Sequence, residues 1–247
     1  MRDARGWNLA HRRAWKRIWP TLLSAAAQSA IRASNGQRNR SADIHAAIIL
    51  ARTAFDAYLH ELIILRRIPA HIRFATGPGA TKFLSATRWR LISVAEGSSA
   101  SKNNKNDYEH IRDLPLDQKL QTLLLLLEVP HSSPLVANFD TQFAALKWLN
   151  ALRNAIIHRD FGPPAPALIE ACKSIRSTLG LRASRPEQPW EELLGYPLIA
   201  VWACSIVCRA LLMLEEIDRN RTIHLAATRE AVASAISPMR LEQLQWK

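Results

Sequence analysis

The sequence predicts an all-α fold, and three observations carry that expectation. Apolar side chains recur at three- and four-residue spacing through most of the chain, the period of one helix face. No segment alternates with the two-residue period of a half-buried strand, and there is no internal repeat. Prolines and short polar runs cut the chain into helix-length pieces. With 247 residues, 48% apolar and 22% charged, the composition is that of a globular protein able to bury its own core.

Taken in order, Trp7, His11, Trp15, Ile18, Trp19 and Leu22 recur at helical spacing, while Arg5, Arg12 and Lys16 fall largely elsewhere on the wheel. Pro20 suits the first turn of a helix running through the Ala-rich stretch to about Ala33. Ser41 can cap a long helix to about Arg67 that buries Ile44, Ile48, Ala51, Phe55, Leu59 and Leu62, with Pro69 ending it. Another helix follows Gly79, through Phe83, Trp89, Leu91 and Ile92, up to Gly97. Residues 97–107, rich in Ser, Asn and Lys, read as a surface loop.

Pro115 opens a helix through the leucine run at 123–127, and Pro130 closes it. Asp140 can cap a helix to about His158, after which Gly162, Pro163 and Pro164 break the chain. A short helix covers 166–178, a long apolar helix runs from Trp190 to about Arg219, and an amphipathic helix fills 225–243. The expected division is a basic, Trp-containing helical arm at 1–40 and a helical domain at 41–247.

Lys and Arg outnumber Asp and Glu 33 to 21, a net charge of +12 and a sequence pI near 10.3, which favours a polyanionic partner. The surplus is uneven. Residues 1–40 hold nine bases against Asp3 alone. Arginines beside exposed tryptophans suit phosphates and stacked bases; a Trp stripe docked on the body, with its bases merely solvated, accounts for the same pattern.

No apolar run near the N-terminus fits a signal peptide. The longest uncharged stretch, 193–208, contains Gly195 and Pro197 and falls short of the roughly 20 residues that span a bilayer. It reads as a central buried helix, so no transmembrane segment is expected. Three cysteines, Cys172, Cys204 and Cys208, cannot pair fully, and a chain of this size does not need disulfides, which points to a reducing, cytoplasmic compartment.

The sequence has no Gly-rich phosphate loop, no GxSxG elbow and no HExxH or CxxC spacing. Cys204 and Cys208 lie four apart but have no His near in sequence, and read as buried structural thiols. No cofactor is expected.

Residues 146–161 read LKWLNALRNAIIHRDF. On a helix, Ala145, Leu149, Leu152 and Ile156 share a buried face, and Asn150, Arg153, Asn154 and His158 cluster opposite. Asn154 and His158 are i,i+4 neighbours able to reach one ligand. Leu146 and Ile157 fall within that polar stripe, a mixture that suits a partly buried seam between chains. A His, an Arg and an amide are a sufficient kit for cutting RNA. The imidazole moves a proton to or from the ribose 2′-OH or the leaving 5′-oxygen. The guanidinium holds the phosphate and stabilises charge at five-coordinate phosphorus. The products are a 2′,3′-cyclic phosphate and a 5′-hydroxyl, with no metal required. Spacing alone fits solvated residues at a helix C-terminus as well.

The hexad Arg153-Asn154-Ala155-Ile156-Ile157-His158 resembles the R-N-x-x-x-H signature of the HEPN superfamily, which sits late on an internal helix of an all-α bundle. A second segment, residues 54–63 with Phe55, Asp56, Tyr58 and Leu59, is similar to that family's first long helix. The resemblance covers roughly 41–219 and implies a HEPN-type bundle with extra N- and C-terminal helices. It implies a homodimer with two motifs facing across a cleft, and a metal-independent endoribonuclease acting as a toxin or defence effector, with an antitoxin or defence-system partner. Arg153, Asn154 and His158 are then catalytic, and Asp56 is the acidic partner bracing Arg153 or His158. Arg52, His60, Asn150 and Arg159 are the candidate substrate-binding residues. Arg52, Asp56 and His60 form an i,i+4 ridge that reads equally as a surface salt-bridge stripe. Asp160 stands two residues after the His, where some catalytic relatives carry a modifiable Tyr.

Two other classes compete. A HEPN-like module that binds RNA or nucleotide without cutting expects degenerate motif residues, whereas Arg, Asn and His are all present. A structural adaptor docking through the basic arm expects function to survive changes at Arg153 or His158 and to be lost with residues 1–40.

Overall fold

The computed structural model describes residues 18–36, 39–74, 115–126, 129, 132–158, 165–182, 189–217 and 229–234, with the side chains of 60–74 and of a few other positions left outside that description. The segments expected at 1–17, between Gly79 and Gly97, at 97–107 and over most of 225–243 lie outside the described residues. What is described is mostly helix, with no strand among these residues. The all-α expectation holds.

α1 (Ile18–Ser34) and α2 (Arg40–Phe74) form an antiparallel hairpin. Gly36 makes the turn with φ +71°, a left-handed conformation that favours glycine. Arg32 on α1 pairs with Asp43 on α2 at 2.8 Å beside the turn. Farther out, the Trp19 and Tyr58 rings meet edge to face, 5.4 Å between centroids. The alanines of α1 allow this close approach, since Ala26, Ala27, Ala30 and Ala33 are all buried at the seam. Trp19 and Leu23, from the expected arm, belong to the same core as Phe55, Leu59 and Trp202.

α2 runs past its expected end at Arg67 and through Pro69 to Phe74. A proline withholds its own N–H from the carbonyl four residues back and kinks a helix without always ending it.

α3 (Leu116–Leu126) packs on α2 with Leu116, Leu120, Leu123 and Leu124 buried. After a short α4 (Pro134–Ala137), the helix expected from Asp140 to His158 is instead two pieces, α5 (Phe139–Gln142) and α6 (Ala144–His158). Asp140 is not a cap. It lies inside α5, exposed, and pairs with Lys147. The chain turns at Phe143 so that Phe139 and Phe143, 4.9 Å apart, both enter the core.

α7 (Pro166–Leu179) packs on α6 and closes on Gly180, φ +63°. The long helix expected from Trp190 is split into α8 (Pro189–Leu193) and α9 (Pro197–Ile217). Pro197 restricts the residue before it and suits the first position of a new helix. Arg176 and Glu192, 2.7 Å apart, hold α7 to α8. α9 lies against α1 and α2, where the Tyr58 hydroxyl donates to Glu215 Oε1 at 2.9 Å. By length and composition α9 is also apolar enough to cross a membrane; most of it is buried inside the bundle.

Candidate active site

α6 carries the residues that the sequence singles out. Leu146, Leu149 and Leu152 are fully buried, while Ala145 and Ile156 are half-buried. The core face is therefore rotated from expectation: Leu146, placed by the sequence in the polar stripe, is a core residue. A leucine midway between faces goes to whichever side a neighbouring helix covers. Asn150, Arg153 and Asn154 are half-buried, and Ile157 and His158 are exposed at the helix end. The Arg153 Nη1 donates to Asn154 Oδ1 at 3.0 Å, coupling two members of the hexad side by side.

The acidic partner is placed differently from the expectation. Asp56 is bonded neither to Arg153 nor to His158. Its Oδ1 accepts from Lys119 Nζ at 2.8 Å and lies 3.5 Å from Arg52 Nη1. Both cations are buried, and a buried cation without a counterion is strongly disfavoured. Both converge on the carboxylate of Asp56. Arg52 is no surface ridge residue. It is 7% exposed, and its Nε donates to Asn150 Oδ1 at 3.0 Å, so it links α2 to α6.

Burial pushes the Arg52 guanidinium below its usual pKa, the nearby Asp56 carboxylate offsets this in part, and the charge of Arg153 lowers it further. Arg153 thus lies within electrostatic reach of Arg52. The chain of contacts Lys119–Asp56–Arg52–Asn150 joins α3, α2 and α6 beneath the hexad. The structure brings together Asp56, Arg52 and Asn150 of the expected set, with Arg153 and Asn154 one turn along α6. His60 is helical, with its side chain outside the described residues, and so is the whole of Arg159.

Lys119 is the residue that sequence reasoning missed, although a signal exists. It falls three residues after Leu116 and four before Leu123, within the apolar face of α3. A lysine at that register has to bring a partner. Cys172, Cys204 and Cys208 are free and buried, and burial pushes Cys172 and Cys208 up to about 11 and about 12. Among the described residues, no group of three His, Cys, Asp or Glu side chains is arranged to hold a metal ion.

Comparison of the chain with protein-family models, with curated proteins and with solved structures finds no match.

Proposed function

We propose that this chain is a metal-independent endoribonuclease of the HEPN type, a toxin or defence effector that works as a homodimer. The observation that carries the reading is the hexad at the end of α6. Arg153, Asn154 and His158 lie together on the accessible side of that helix, while its leucines fill the core. One turn before Arg153, Asn150 accepts a hydrogen bond from the buried Arg52.

In this reading His158 exchanges a proton with the ribose 2′-OH or the leaving 5′-oxygen, a role imidazoles commonly take. Arg153 neutralises charge on the phosphoryl oxygens as phosphorus becomes five-coordinate, and Asn154, bonded to Arg153, keeps that guanidinium in place. The 2′-oxygen is the nucleophile, so the products carry a cyclic phosphate and a 5′-hydroxyl. Ile157, 43% exposed beside His158, supplies apolar surface for a second copy. The net charge of +12 suits an RNA substrate.

The test is incubation of total RNA with purified wild type and His158→Ala in EDTA, followed by end analysis. Cleavage by the wild type alone, leaving cyclic phosphate and 5′-hydroxyl ends, is the expected result. Equal cutting by both proteins removes His158 from the chemistry, and no cutting by either moves a non-catalytic RNA-binding role ahead.

A further inference from the structure

Two buried cations share one carboxylate behind the hexad. Lys119 Nζ and Arg52 Nη1 converge on the same oxygen of Asp56, at 2.8 and 3.5 Å. The side chains of Lys119 and Arg52 are 6% and 9% exposed, whereas Asp56 is 38% exposed. Among the described side chains at this junction the buried charge is thus net positive, and its carboxylate sits at the solvent edge. A guanidinium has five N–H donors. Arg52 uses one in a hydrogen bond to Asn150 and turns another toward Asp56.

We propose that Arg52 and Lys119 form a phosphate-binding subsite that takes a phosphodiester of single-stranded RNA next to the one cut at His158. The proposal rests on the ribonuclease reading for the identity of the polyanion. An arriving phosphate supplies the negative charge that two cations and one carboxylate lack, and the guanidinium donors that Arg52 does not turn to Asn150 and Asp56 suit its oxygens. The Asn150 bond holds Arg52 in place before the ligand arrives, so little ordering is needed on binding. Lys119 acts by charge, since its ammonium is already bonded to Asp56.

The experiment measures binding of the full chain to a non-cleavable 2′-O-methyl oligoribonucleotide by fluorescence anisotropy over a range of KCl concentrations. Lys119→Met keeps the stem and removes the charge. It is expected to reduce the slope of log affinity against log salt by about 0.7 and to weaken binding about fivefold near about 0.1 M salt. Lys119→Arg restores both. Asp56→Asn moves affinity the other way, to tighter binding, because it removes the anion that competes with phosphate.

An unchanged slope in a folded Lys119→Met protein overturns the subsite, as does absence of wild-type binding. If Lys119→Met does not fold, the sign for Asp56→Asn decides: tighter binding supports the subsite, and unchanged or weaker binding overturns it. If the slope responds while His158→Ala still cuts like wild type, the subsite stands and the assignment of cleavage to His158 falls.

Discussion

Lys119 and Asp56, 63 residues apart in sequence, form a 2.8 Å ion pair that ties α3 to α2. Arg52, one turn before Asp56 on the same helix, carries the connection on to Asn150 of α6. Three helices therefore meet at a small polar junction set into the bundle. Such a junction fixes the rotation of α6 more narrowly than leucine packing does, because hydrogen bonds are directional and dispersion contacts are not.

Replacing Arg52 by Met tests how much this junction holds. Asp56 keeps Lys119, but Asn150 Oδ1 loses its donor. The expected cost is about 1–3 kcal/mol, seen as a lower urea midpoint at unchanged slope. Arg52→Lys recovers only part of it, since an ammonium cannot reproduce the Nε geometry.

The two sides of α6 separate stability from association. Leu149→Ala leaves a hole in the core and is expected to cost about 2–5 kcal/mol in urea unfolding. Ile157→Ala, on the exposed side, changes the stability of the folded chain by less than about 0.5 kcal/mol. Sedimentation velocity shows it shifting self-association toward monomer, if the second copy docks there.

The cysteines predict a stability loss in alkali. Cys172 and Cys208 have folded pKa values of about 11 and about 12, above the ordinary 9.0 of the unfolded chain, so the unfolded thiols ionise first. Their contribution is complete below pH 9.0 and disappears as pH rises from there toward about 12. Urea midpoints measured across that window fall with rising pH. At neutral pH, a thiol reagent labels the folded protein only after denaturant is added.

Gly180 closes α7 with φ +63°, and a Cβ there would meet nothing within 4 Å. Gly180→Ala therefore adds backbone strain without a clash, and is expected to cost about 1 kcal/mol. Calorimetry should show Tm lowered by about 2–4 °C.

Local signals were legible where the helix and its breaks are local matters. The Ala-rich run after Pro20 gives α1, and Pro166 with Gly180 brackets α7. The breaks at Phe143 and before Pro197 escaped because apolar spacing continues on both sides of each. Pro69 misled in the other direction, since the helix continues through it to Phe74. Within the candidate site, the grouping of Asn150, Arg153 and Asn154 on one side of α6 follows from i,i+3 and i,i+4 spacing alone.

By itself, then, the sequence determined that the chain is helical, where most helices run, and which polar side chains share a turn of α6. The tertiary structure alone decided that Leu146 faces the core, that Arg52 is buried, and that Asp56 answers Lys119 rather than Arg153 or His158. Helical periodicity sets angles about one helix axis. Which of those angles is covered, and which buried charge finds which counterion, depends on the helix that packs there from another part of the chain.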